Sequence, residues 1–525
     1  MESSCVRHNL IPGTTKLFSD YLYDFGRVNQ FYPFHFTDAE ALSRSAKAVN
    51  YPESRRERIV AAVRRQNGDS AALSDLARPG TVAVVTGQQV GLFSGPTYTI
   101  FKALTAVRLA EHFNQQGIRA VAVFWLATQD HDLAEVDHAW VFDQNAMPGK
   151  IAVANTVTNG GPVGAVELTD LPIQELRNAL GELPFAEDIS SKIEAAYRPG
   201  ATLGSAFRSF LQDILNEFGL LYLDPLQPDV REVAAGFLGD TIPRVPDLVP
   251  ALRHRDKELV DAGYHAQVLV EEDTSLLFLL SEGKRTAIRW KDGRFVGKDR
   301  SYAPSELLAI ANQLSPNALL RPVMQDYLLP TAAYVGGPAE IAYLAQSQVL
   351  YQNLLGRMPV IFPRNSFTLL DQRAAKLLDR YGLNVPDLLE HQEKVKSCIA
   401  AKLVPPDLTD EFAALRSGIS SSLSKLRSEL AHFDPTLEAA AKKSAAKIIY
   451  QIDKLDRKTA RQSIERDERA VRDAAYLSNL VYPHRHLQER FYCIVPFLAK
   501  YGLDLPKRLL SQIQLACPDH MIRTI

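Results

Sequence analysis

Apolar, β-branched runs that stop abruptly in glycine or charged turns recur along this chain and predict the strands of an open α/β sheet. A strand over 81–86 enters Gly87-Gln88-Gln89-Val90-Gly91-Leu92-Phe93-Ser94-Gly95-Pro96 and leaves as a helix over 97–116. The apolar side of that helix is Ile100, Leu104, Val107 and Leu109 with Ala103, Ala106 and Ala110. A second strand over 120–126 completes a βαβ unit, whose crossover is almost always right-handed. Further core strands are predicted over 220–223, 332–335 and 359–362, each running into turn or polar residues. The stretch before them, with the aromatic loop Phe31-Tyr32-Pro33-Phe34 and a charged helix over 54–66, reads as a helical approach to the sheet.

Two insertions interrupt the core pattern, over 153–200 and 244–300. The second contains apolar runs over 267–270, 276–279 and 287–290 between charged or glycine turns, which predicts a small antiparallel accessory sheet. The resulting division is 1–152, helical approach and first half of the core; 153–200, first insertion; 201–243, core; 244–300, second insertion; 301–385, second half of the core; 386–475, helical arm; 476–525, return to the core. In the arm, Phe412, Leu415, Ile419, Leu423, Leu426, Leu430 and Phe433 recur at mixed three and four spacing, as a coiled-coil seam requires. Asp434-Pro435 supplies an N-cap and first-turn proline for a second helix bearing Leu437, Ala441, Ala445, Ile448, Ile452 and Leu455. A two-helix arm exposes apolar surface, so a homodimer is expected.

The 525 residues suffice for more than one core, and 46% hydrophobic with 23% charged residues is an ordinary globular composition. A formal net charge of -2 supplies no general attraction for nucleic acid. The first residues lack the basic and apolar segments of a leader, and no apolar run is long enough to span a bilayer, so a cytoplasmic protein without membrane contact is expected. The cysteines Cys5, Cys398, Cys493 and Cys517 form no CxxC pair and suggest neither a disulfide framework nor structural zinc.

Chemistry concentrates where the strands end. Gly87, Gly91 and Gly95 allow close backbone approach, Gln88, Gln89, Tyr98 and Thr99 offer hydrogen bonds, and Lys102 and the first helical amides offer positive charge to an anionic ligand. The spacing is that of neither a P-loop nor a dinucleotide fingerprint. The second strand ends in Gln129-Asp130-His131-Asp132-Leu133-Ala134-Glu135-Val136-Asp137-His138. If this segment is helical, His131 and Glu135 share a face, with His138 a turn further. His131 with Asp130 or Asp132 is a candidate general base. The alternatives are a zinc site from His131, His138 and Asp132 or Glu135, or simple capping of a helix; no metal is assigned. A third strand, turn and helix passes through Gly336-Gly337-Pro338 to Glu340 and Tyr343, where Glu340 offers a carboxylate to an ammonium group. Arg364, followed by Ser366, offers a guanidinium to a carboxylate or phosphate.

Taken in order, Gly87-Gln88-Gln89 with Gly91, Gly95-Pro96, Tyr98-Thr99 and Lys102, then Asp130-His131-Asp132 with Glu135 and His138, Gly336-Gly337-Pro338 with Glu340 and Tyr343, Pro363-Arg364 with Ser366, and Leu487-Gln488-Glu489-Arg490 resemble the cysteine-adding enzymes of bacillithiol biosynthesis, the BshC family. The resemblance spans nearly the whole chain. It implies a Rossmann-like, nucleotidyltransferase-type α/β core with connecting insertions and a C-terminal coiled-coil arm that mediates dimerisation. It also implies a ligase joining L-cysteine to glucosaminyl malate by an amide bond in the last step of bacillithiol synthesis. An adenine nucleotide, ATP or ADP, is implied near the arm and away from the main pocket, with Gln488 and Arg490 as candidate contacts. This chain departs from the family pattern at Gln129, where Glu is common, and at Asp137, where Asn is usual. Competing readings are a nucleotidyltransferase-like enzyme with another small substrate, and a coiled-coil scaffold with a degenerate Rossmann core.

Overall fold

The computed structural model describes residues 3–153, 160–389 and 392–525; positions 154–159 of the expected first insertion lie outside them. Five parallel strands form the central sheet: β1 (Val82–Gln88), β2 (Ala120–Leu126), β3 (Leu221–Leu223), β4 (Thr331–Gly336) and β5 (Val360–Pro363). Their order across the sheet is β5-β4-β1-β2-β3, so the chain winds one way from β1 through β3 and then returns to the opposite side of β1. All pairings are parallel. Residues 82–87 and the whole of β2 and β4 are buried, which matches continuous apolar strands covered on both faces. Helix α1 (Tyr98–Gln115) follows β1, helix α2 (Arg321–Leu328) precedes β4, and helix α3 (Pro338–Leu355) follows it.

The predicted strands and the helix after the first glycine turn all form, with ends displaced by one or two residues. The second insertion differs in part. Its accessory sheet is antiparallel and five-stranded, in the order Ser301–Tyr302, Arg294–Val296, Lys284–Lys291, Thr274–Ser281, Leu314–Pro316. The 267–270 run contributes no strand. Gln346 of α3 instead takes both backbone groups of Val268, accepting from its amide at 2.9 Å and donating to its carbonyl at 2.8 Å. A buried carboxamide thereby replaces a strand neighbour and ties the insertion to the core.

The arm is a hairpin of helices α4 (Pro406–Phe433) and α5 (Pro435–Glu465). Asp434 caps α5 through its carboxylate, which accepts from the Thr436 amide at 2.8 Å. Arg416 ties the two helices together by bonding Asp453 at 3.0 Å and Asp456 at 3.1 Å. The predicted seam divides in two. Phe412 and Ile452 are buried and Ile419, Leu423 and Leu430 half-buried, whereas Leu415 (47%), Leu426 (53%), Phe433 (85%) and Leu455 (55%) stay exposed. The chain then returns through the strand His520–Thr524, which pairs with both Ser3–Val6 and Ser366–Leu370. No helix among the described residues is long and apolar enough to cross a membrane.

Candidate active site

Parallel strands side by side open their C-terminal ends onto one crevice, the usual ligand position in an open α/β sheet. Here the ends of β1, β2, β4 and β5 surround a cavity of about 600 Å³. Gly87 makes the approach possible: a Cβ there would stand 2.7 Å from the Trp125 carbonyl oxygen on β2. Gly95, at φ 62°, provides the left-handed turn before α1. That loop is anchored by the Tyr492 carbonyl, which accepts from the Thr97 amide and hydroxyl, both at 2.7 Å.

Five cations line the cavity, and they fall into two groups. Lys102 is buried, donates to the Gly87 carbonyl and the Gln88 side chain at 3.0 Å each, and forms an ion pair with Glu340. Burial pulls its pKa below the ordinary lysine value against the raising effect of Glu340. Burial also opposes charge on Glu340, but Lys102, the Tyr334 hydroxyl at 2.5 Å and the Gly337 amide at 2.8 Å together hold its carboxyl below the usual range. Arg364 is likewise matched, by a bidentate pair with Glu489. The remaining three, Arg285, Arg321 and Arg490, have no carboxylate within ion-pair distance among the described residues. Arg321 donates to the Tyr343 hydroxyl. Arg285 donates to the Ser315 hydroxyl at 3.1 Å and the Pro316 carbonyl at 2.8 Å, with its guanidinium carbon 3.8 Å from the Phe278 ring centroid. Burial lowers its pKa to about 10. Arg490 is exposed, 5.8 Å from the Tyr98 ring centroid. The cavity therefore carries surplus positive charge, and the buried indole N–H of Trp125 on its wall has no protein partner.

The segment after β2 is not an α-helix. It makes one 3-10 turn at Leu133–Glu135, and His138 begins the strand His138–Phe142, so the expected shared helical face does not exist. Asp130 and His131 face the main cavity. Burial resists charge on Asp130, but the Gln89 side chain at 2.6 Å, the His131 amide at 2.7 Å and the charge of Arg285 hold its carboxyl below the usual value. Gln89 also donates to Glu135 at 2.9 Å. Glu135 and His138 line a second cavity of about 460 Å³ with Gly91, Gly95, Trp140, His484 and His486. Gln88, Gln89, Tyr98 and Arg490 belong to both walls, so the two cavities adjoin. The expected zinc set is divided between them, and among the described residues no group of three or more such side chains has a metal-site arrangement.

Several expected ligand contacts fall elsewhere. The carboxylate of Asp132 is exposed and lines neither cavity. Thr99 is buried, its hydroxyl lacking a protein partner, and the amides of Thr97, Thr99 and Ile100 bond carbonyls of Tyr492, Pro96 and Thr97 rather than a ligand. Gly336 lies behind the wall that Gly337 and Tyr343 form; its carbonyl accepts from the Arg364 amide at 2.9 Å. Ser366 is buried, donating to Glu489 at 2.8 Å and contacting His520 at 2.6 Å. Lys102 and Glu340 neutralise each other, which removes both the free ammonium and the free carboxylate assigned from sequence. The resemblance gives Gln488 to a nucleotide, whereas its carboxamide holds backbone groups of Leu369 at 2.7 and 2.9 Å and Leu480 at 2.8 Å. Arg285 and Arg321 were missed by pattern reading. The Gly283 turn of the accessory hairpin and the Arg321-Pro322 helix start are the only local signals they leave.

Comparison with known proteins agrees with this architecture. Residues 1–365 match the family description "Bacillithiol biosynthesis BshC, N-terminal Rossmann-like domain", and residues 367–525 match "Bacillithiol biosynthesis BshC, C-terminal coiled-coil domain". The chain is 50% identical to a Solibacter usitatus protein named "Putative cysteine ligase BshC", over the full length of both. It is 36% identical to a protein of the same name from Koribacter versatilis, covering 99% of each chain, and 32% identical to one from Salinibacter ruber, covering 96% of this chain and 95% of that one. With both halves matched and the Rossmann-like sheet and helical arm in place, the chain belongs to the bacillithiol biosynthesis BshC family.

Proposed function

We propose that this protein joins L-cysteine to glucosaminyl malate through an amide bond, the last step of bacillithiol synthesis. The observation that carries this reading is the surplus cation of the cleft. Two of its five basic side chains are internally neutralised, while Arg285, Arg321 and Arg490 lack carboxylate partners, which suits a substrate with two carboxylates. The donor's carboxyl must be activated and the acceptor's amine must lose a proton as the amide forms. His131 and Asp130 line the main cavity, where His131 serves as the base that takes this proton. Gln89, bonded to both Asp130 and Glu135, fixes the two carboxylates that face the amine. Holding both substrates in adjoining cavities makes the attack effectively unimolecular.

ATP supplies the activation of the carboxyl when bound. Arg490, exposed at the wall common to both cavities and without an ion-pair partner among the described residues, fits a phosphate contact; Gln488 does not, because its side chain is fully engaged. A second copy of the chain covers the exposed apolar side of the arm, and the enzyme works in the cytoplasm. Mass spectrometry of mixtures containing L-cysteine, glucosaminyl malate and ATP, with each omitted in turn, tests the reaction. The amide product forms only in the complete mixture; pyrophosphate release with ATP and no cysteine would favour a nucleotidyl transfer instead.

A further inference from the structure

Arg285 reaches the cleft from the accessory sheet and makes one contact that its role as a spare cation does not explain. Its Nη1 donates to Nδ1 of His131 at 3.0 Å. A guanidinium is a donor only, so this bond fixes Nδ1 as an acceptor and places the proton of the neutral imidazole on Nε2. In that state neither ring nitrogen is free to take a proton. The other groups facing the ring do not change this: Asp130 Oδ1 is 3.5 Å from Nδ1, too far for a hydrogen bond, and the Phe278 ring centroid is 5.9 Å away. Arg285 itself is held on three neutral acceptors, Ser315, Pro316 and His131, and is packed against Phe278.

A guanidinium bonds a carboxylate more strongly than a neutral acceptor, because both partners then carry charge and the pair can be bidentate. A carboxylate entering the cleft therefore competes with these three neutral acceptors for the guanidinium, and as the planar group turns towards it Nη1 leaves His131. We propose that Arg285 is a positioning residue that couples anion binding to the base: with the cleft empty it occupies Nδ1 of His131, and with the acceptor's carboxylate bound it turns to that carboxylate and frees the Nδ1 lone pair. The freed nitrogen then takes the proton lost by the attacking amine, and Nε2 keeps its own, giving imidazolium. The accessory sheet thus senses the acidic half of the acceptor and prevents proton abstraction before it arrives. This coupling rests on His131 being the base of the proposed amide formation.

Imidazole nitrogen NMR of the full chain labelled with ¹⁵N-histidine tests it without turnover, the His131 signals being assigned by their loss in His131→Gln. The free protein shows His131 protonated at Nε2 with a hydrogen-bonded Nδ1. Saturating L-malate, whose binding is followed separately by ligand NMR, moves Nδ1 to the position of an unbonded nitrogen, and Arg285→Met shows that position already without malate. Arg285→Gln is read in the same way if the methionine variant does not fold. A proton on Nδ1 in the free protein, an Nδ1 signal indifferent to bound malate, or variants indistinguishable from wild type would overturn the coupling. Loss of amide-forming turnover with an intact Nδ1 response would count against the ligase reading alone.

Discussion

Arg364 and Glu489 form a buried bidentate pair, with Nη1 to Oε2 at 2.8 Å and Nη2 to Oε1 at 2.6 Å. Arg364 closes the Rossmann-like part of the chain and Glu489 belongs to the returning C-terminal segment, so the contact fastens the two where the cleft is built. Burial resists charge on Glu489, yet Arg364, His520 and Ser366 together hold its carboxyl at about 2. Removing one partner leaves the other buried and unmatched. Glu489→Gln is expected to lower stability by about 3–5 kcal/mol, measured by denaturant unfolding, and Arg364→Met by a similar amount. Because this pKa is depressed, the stabilisation is present above the usual glutamate range and is lost as pH falls towards 2.

Asp326 on α2 gives the opposite pH dependence. Burial pushes its carboxyl up to about 7 despite the nearby charge of Arg357. A raised pKa favours the protonated native state, so its contribution is complete below the ordinary aspartate value and disappears as pH rises through about 7. The difference is on the order of a few kcal/mol. Asp326→Asn is expected to flatten this decline, so that the stability gap between wild type and variant shifts in favour of the variant between about pH 5 and pH 8. Thermal unfolding across that range measures it; parallel curves would place the titration elsewhere.

Strand ends were legible in the sequence because a β-branched run that enters a glycine turn has few other physical solutions. Gly87 and Gly337 border the cleft for that reason. The state of the side chains was not legible. Lys102 and Glu340 each read as a free charge until the order β5-β4-β1-β2-β3 puts β4 beside β1 and brings the two together. Arg285 sits at the start of an exposed-looking hairpin, and nothing in its neighbours tells an arginine facing solvent from one folded over a cleft. The helix expected through His131 and His138 failed because i, i+4 spacing is informative only if the backbone is helical; the peptide groups there make a single 3-10 turn and then a strand.

The arm offers a test of assembly. Leu415, Leu426 and Leu455 remain exposed after α4 and α5 have packed together, and covering them requires a second surface. Replacing all three with serine is expected to convert a dimer to a monomer in sedimentation velocity without loss of helical circular dichroism. A wild-type protein that sediments as a monomer at micromolar concentration would show that no second copy covers the arm.

A variant at Arg321 tests substrate binding separately from chemistry. Its charge has no carboxylate partner among the described residues and it is braced by Tyr343, so an acidic acceptor gains a charge-assisted bond worth about 1.5–3 kcal/mol there. Arg321→Met is expected to raise the KM for glucosaminyl malate by about 10- to 100-fold while leaving the KM for cysteine within a factor of about two. Equal losses for both substrates would indicate a general disturbance of the cleft.

A crystal structure of the protein with glucosaminyl malate tests whether the loops after β1, β2 and β4 form one cleft for an acidic acceptor. The malate carboxylates are expected within hydrogen-bond distance of Arg285 and Arg321, with the amine facing His131 and Asp130. A ligand seated instead in the basic groove between Arg373, Arg380 and Arg472, with the cleft arginines untouched, would contradict it.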